Sequence, residues 1–211
     1  LNNIIFAFVH FLLSKKNSPF QGKILFPKRY VSGLSKMSSK NFIFHVKIHH
    51  LLNEQKIDPK QFLESLALDG WKIIFLERDN KINHVLSNFM ANARGGYQKY
   101  EKKNETIQLT VDCALFCEKI GRRLHYGILE KKALEGIEYI SLSYEKDLEK
   151  PDCHQHTANR ILNYLSLEPK PIRTKHKKIN VKGLGDVIVN YDEFIETIKE
   201  NGYGHFLENE R

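Results

Sequence analysis

Arg78 and Ser87 lie nine residues apart in "WKIIFLERDNKINHVLSNFMA", the stretch from Trp71 to Ala91. The near-continuous apolar run "WKIIFLE" predicts a strand covered on both faces, and the pattern after it predicts a helix from about Ile82 to Ala93. A guanidinium at a strand's end and a hydroxyl on the following helix can converge on one tetrahedral anion, the first as a planar charged fork and the second as a short directional donor. Ser87 falls about two helical turns from the helix start, so the pair would straddle the anion rather than cap it together. An Arg ending a strand is also a common surface charge, so the pair alone does not define a site.

The rest of the chain limits what such a pair could serve. Its 211 residues, 41% hydrophobic, supply one sizeable core and predict a single domain over residues 1–211. A net charge of +8 favours an anionic partner: phosphate, sulfate, nucleic acid or a membrane surface. Lys and Arg are spread along the chain without aromatic interleaving, which argues against nucleic acid. Three cysteines are too few for a disulfide framework and favour a reducing compartment, so the cytoplasm is the expected location.

Two short motifs invite a metal, and neither requires one. Cys113 and Cys117 stand at i,i+4 with no matching second pair, and read better as small apolar residues on a buried helical face. "CHQH" at 153 to 156 opens a strongly helical segment and reads as its polar first turn. "IIFAFVHFLL" (Ile4 to Leu13) is too short to span a bilayer and reads as a buried helix, with a secretory apolar region as the alternative.

Further elements follow from pattern. "GKILFPKRYVSGLSKMSSK" reads as a basic, turn-rich surface segment, "FIFHVKIHHL" (Phe42 to Leu51) as a strand, and "DPKQFLESLALDG" as a helix with an Asp-Pro start and an Asp-Gly stop. "EYISLSYEKDL" predicts a strand that leaves the sheet at Tyr144, before the helix in "HTANRILNYLSLEP". Alternating strands and helices predict a parallel sheet between helix layers, with ligands at the strands' carboxyl ends.

Four blocks in this order, "FHVKIHHL", "GWKIIFLERDNKINHVLSNFMA", "YISLSYEKDLEKPDCHQHTANRILNYLSLEPKPIRTK" and "LGDVIVNYDEFIETIKENGYGHFLE", resemble the sulfotransferase family, in particular its bacterial carbohydrate-type branch related to the trehalose sulfotransferases. The resemblance covers nearly the whole chain. It implies a three-layer α/β/α, P-loop-like nucleotide-binding fold, with 3′-phosphoadenosine 5′-phosphosulfate as sulfuryl donor and a carbohydrate or glycolipid hydroxyl as acceptor. No metal, nucleic acid or stable membrane span is implied, and a homodimer is left open. By the resemblance Arg78 and Ser87 would clamp the donor's 3′-phosphate, Lys47 and His49 would serve as cation and base beside the sulfonate, and Lys175 and Lys177 would approach the nucleotide. His45 and His50 are rivals to His49; Lys47 and His49 can equally be strand-edge groups facing solvent, and a run such as that of Lys175 and Lys177 is more often a solvated face.

The sequence departs from that family at three places. The family more often has an Arg eight residues before the Ser, where this chain has Asp79. Its Arg-Ser-Gly-Ser loop, whose backbone N–H groups cradle the phosphosulfate, has no counterpart here, so the chain is expected to lack its first strand and loop. Where the family has Gly-Glu-Ile-Leu, this chain has "GKIL", and Lys23 replaces a base candidate by a cation. A degenerate, non-catalytic relative that binds nucleotide or glycan is therefore the alternative expectation.

Overall fold

Four parallel strands and the helices between them make up a mixed α/β protein, described here from a computed structural model over residues 4–7, 26–37, 42–93, 107–173 and 183–207. In chain order the main elements are β1 (Ile4–Ala7), α1 (Pro27–Met37), β2 (Ile43–His45), α2 (Pro59–Leu68), β3 (Lys72–Glu77), α3 (Lys81–Ala93), α4 (Cys113–Leu134), β4 (Tyr139–Ser143), α5 (Pro151–Tyr164), α6 (Leu184–Val187) and α7 (Tyr191–Glu200). The sheet order is β2-β1-β3-β4, with Ile73 aligned to Ile5 on one side and to Tyr139 on the other.

The chain divides into two compact units, residues 1–77 with 126–173, and residues 78–125 with 174–211. In the first, β3 explains the continuous apolar run of its sequence. Ile73 and Phe75 join a core with Phe44, Phe62, Leu66 and Trp71, whereas Ile74 joins a separate one with Leu142 and Leu165. Successive side chains point to opposite faces of a strand, so an interior strand with apolar cover on both faces has no polar positions to alternate. In the second unit, Ile82, Val85, Leu86 and Met90 of α3 pack with Phe116, Cys117 and Ile120 of α4 and with Phe194 and Ile198 of α7.

Local chemistry sets the ends of α2. Asp58 accepts a hydrogen bond from the Gln61 amide at 2.8 Å, Pro59 takes the first helical position, and Gly70 adopts the left-handed φ of +81° that ends the turn. β3, α2, α3, α4, β4 and α5 lie where the pattern predicts, and Tyr144–Leu148 leaves β4 as a π-helical turn.

Three expectations need correction. Ile4–Ala7 is a strand, not the start of a helix; it fills the position between β2 and β3, so a central strand is present in the chain. Four residues carry no helical rhythm of their own, and pairing on both sides decides their state. Pro27–Met37, expected as an irregular surface segment, is a helix anchored by Val31, which is buried in the first unit's core. The strand expected over Phe42 to Leu51 spans only Ile43–His45; among the described residues β2 stands at the edge of the sheet, and its neighbour β1 pairs with just those three residues. Beyond it the His50 and Leu51 amides donate to the Lys47 carbonyl at 3.0 and 3.2 Å and turn the chain into the π-helix His50–Gln55.

Candidate functional site

The junction after β3 is held by a side chain that pattern reading passed over. Asn80 is 4% exposed; its Oδ1 accepts from the Asn83 amide at 2.9 Å, capping α3, and its Nδ2 donates to the Phe206 carbonyl at 2.9 Å. The spacing of Asn80 to Asn83 carries the capping signal, whereas the Phe206 contact, 126 residues away, leaves no trace in the sequence. Truncation would leave a buried carbonyl and an amide unpaired. We expect Asn80→Ala to cost about 2 kcal/mol in denaturant unfolding, with amide exchange rising first in α3 and around Phe206.

The predicted pair flanks this cap in sequence. Arg78 Nη1 lies 3.5 Å from Ser87 Oγ, at the outer limit of a hydrogen bond, and the Ser87 hydroxyl donates to the His84 carbonyl at 2.9 Å. The Ser87 oxygen thus presents lone pairs to the guanidinium, and the hydroxyl must rotate to donate to an anion placed there. Lys81 Nζ donates to the Arg78 carbonyl and ties the first turn of α3 to the strand exit. Asp79, at the position where the family more often has Arg, is exposed.

His84 shares this turn of α3. Its pKa is lowered to about 3, first by burial and then by the positive charges of Arg123, Arg78 and Lys81, so the imidazole is neutral at physiological pH. Arg123 belongs to α4, which packs against α3 in the second unit's core. The Phe116 and Phe89 rings are tilted at 41° with centroids 5.3 Å apart, and Lys119 Nζ lies 5.8 Å from the Phe89 centroid.

Lys47 and His49 belong to the first compact unit, and Arg78 and Ser87 to the second. Lys47 follows β2 and is half-buried. His49 stands in the helical turn beyond it, with its ring 5.3 Å from that of Tyr126 and 4.5 Å from that of His50. Asn53 Nδ2 donates to the Tyr126 hydroxyl at 2.9 Å, and His50 Nε2 lies 3.8 Å from a Glu54 carboxylate oxygen. Tyr126 sits in an amphipathic helix where nothing local marks it as a partner of His49. Lys175 and Lys177 lie outside the described residues.

Two motifs of the resemblance have visible structural work. Asp147 accepts from Arg160 at 2.6 Å and from the Ser143 amide at 2.7 Å, and its carbonyl accepts from Thr157 at 2.8 Å, so the strand exit is fastened to α5. Asn190 accepts from the Val111 amide and donates to the Val111 carbonyl, both at 2.9 Å, joining the entry of α4 to the start of α7. Cys113 and Cys117 are buried in the second unit's core, and burial pushes both thiols up in pKa.

Among the described residues no group of three or more His, Cys, Asp or Glu is placed to hold a metal ion, and no helix is long and apolar enough to cross a membrane. No protein-family model, curated protein or solved structure matches the chain.

Proposed function

We propose that this chain is a sulfotransferase that takes a sulfuryl group from 3′-phosphoadenosine 5′-phosphosulfate to a hydroxyl of a carbohydrate or glycolipid, on a three-layer, P-loop-like α/β/α scaffold. The observation that carries the reading is the 3.5 Å approach of Arg78 Nη1 to Ser87 Oγ at the carboxyl end of a parallel strand. A strand-end guanidinium and a helix hydroxyl at that separation suit a phosphate monoester, with two charge-assisted bonds from the fork and one from the hydroxyl. Apolar cover on both faces of β3 and the parallel order support the layered scaffold.

In the reaction the acceptor oxygen forms a bond to sulfur as the bond from sulfur to the bridging phosphate oxygen breaks, releasing adenosine 3′,5′-bisphosphate. His49 takes the acceptor's proton, Lys47 offsets charge on the bridging oxygen, and Lys175 and Lys177 contact the nucleotide. The second reading, a non-catalytic relative that binds nucleotide or glycan, draws support from Lys23 in the place of a Glu.

Isothermal calorimetry on the full chain tests the binding step. Arg78→Ala is expected to weaken adenosine 3′,5′-bisphosphate at least tenfold, and equal affinities for the two proteins would remove the clamp. Release of bisphosphate from the phosphosulfate donor, accelerated by one of a panel of sugars, separates the enzyme from the binding protein.

A further inference from the structure

We propose that the Tyr126 ring of α4 positions the His49 imidazole for proton transfer, and that Asn53 holds that ring in place. The proposal rests on the sulfotransferase reading above, in which His49 takes the acceptor's proton, and adds two residues that no sequence motif points to. All three side chains belong to the first compact unit. The His49 and Tyr126 rings have centroids 5.3 Å apart and planes at 43°, and Asn53 Nδ2 donates to the Tyr126 hydroxyl at 2.9 Å. His49 immediately precedes the π-helix His50–Gln55 and Asn53 lies within it, so one tyrosine is engaged at two points of a single turn.

The turn is held at its backbone as well. Ile48 and Leu51, on either side of His49 and His50, are buried in the first unit's core, and Tyr126 packs against the same core. Lys56, at a left-handed φ of 56°, closes the turn with its amide on the Leu51 carbonyl. An imidazole on a held backbone can still rotate about its side-chain torsions, and its nitrogen lone pair lies in the ring plane, so each rotation re-aims the base. The Tyr126 ring restricts that rotation, and the His50 ring, perpendicular to His49 at 4.5 Å, offers the imidazole a second surface. A base must bring its lone pair within about 3 Å of the acceptor oxygen whose proton it takes, as that oxygen bonds to sulfur and the bridging oxygen leaves. Orientation, rather than basicity, is what Tyr126 supplies.

Sugar-dependent turnover of the phosphosulfate donor by the full chain tests this in Tyr126→Leu, Tyr126→Phe and Asn53→Ala, with Ile128→Ala, exposed on the same helix, as the control. Tyr126→Leu is expected to lower kcat by about tenfold or more while the donor's KM stays within about twofold. Tyr126→Phe keeps the ring and gives up only its tie to Asn53, so it and Asn53→Ala should each lose no more than about threefold, and Ile128→Ala should match the wild type. By NMR the His49 ring protons should shift in Tyr126→Leu and stay near their wild-type positions in Tyr126→Phe. Tyr126→Met repeats the measurement if the leucine variant does not fold. Full turnover in Tyr126→Leu beside its loss in His49→Ala would overturn the positioning role and leave the base. Equal losses in Tyr126→Leu and Tyr126→Phe would move the role from the ring to the hydroxyl and overturn it as well. A wild-type chain that turns over the donor with none of the sugars would overturn the sulfotransferase reading itself and the positioning role with it.

Discussion

Replacing Asp147 by alanine is expected to destabilise the protein by about 3 kcal/mol in denaturant unfolding. The carboxylate is only 14% exposed and joins two groups that have no equal substitute: the Arg160 guanidinium at 2.6 Å and the Ser143 amide at 2.7 Å. Truncation removes the acceptor of the Ser143 amide and the charged acceptor of Arg160, which keeps the Ser141 carbonyl at 3.3 Å, and losing a charged acceptor costs more than the net value of a neutral bond. The Thr157 bond to the Asp147 carbonyl survives, as does the His154 contact with the Leu148 carbonyl at 2.7 Å, so the turn should loosen rather than unravel. Asp147→Asn keeps an acceptor for the amide and should recover about half of the loss. A cost under about 1 kcal/mol for the alanine variant would mean that water replaces the carboxylate adequately.

Acidification below neutrality is expected to cost stability through His84. Its pKa is about 3 in the folded protein, for burial first and the charges of Arg123, Arg78 and Lys81 after it, against about 6.5 in an unfolded chain. Above pH 6.5 neither state holds the proton and the residue contributes nothing to the pH dependence. As pH falls from about 6.5 toward 3 the unfolded chain accepts a proton that the folded chain refuses, so stability falls, by about 2 kcal/mol at pH 5 and about 4 kcal/mol near pH 3, where it levels off. The lost interaction is one-sided: a fourth positive charge would have to enter a turn that already faces three. Unfolding free energies measured from pH 7 to pH 4 in wild type and His84→Gln test this. The variant keeps the backbone carbonyl that accepts from Ser87 and should show a flatter slope, and identical slopes would place the His84 ring in ordinary solvent.

Elements with long or repeated local signals were legible in the sequence, and those decided by neighbours were not. α4 and α5 show helical rhythm over many residues, β3 shows an unbroken apolar run, and α2 shows its cap and stop, so each lies where pattern predicts. β1 and β2 have no such margin. Ile4–Ala7 is a strand because two neighbours pair with it, and β2 ends at His45, where its pairing with β1 stops. The site divides in the same way. Arg78 and Ser87 could be named because their spacing follows from a strand and the helix after it. Asn80 to Phe206 and His49 to Tyr126 join residues far apart in the chain, and a single sequence carries no mark of such contacts.

The central claim is that Arg78 and Ser87 grip a nucleotide's 3′-phosphate together. A double-mutant cycle with Arg78→Ala, Ser87→Ala and the double variant, titrated with adenosine 3′,5′-bisphosphate and with adenosine 5′-phosphate, tests it most directly. The account predicts losses that are not additive for the bisphosphate, the double variant being little weaker than Arg78→Ala, and no loss at all for the nucleotide without the 3′-phosphate. Equal losses for both nucleotides, or additive losses for the bisphosphate, would contradict it.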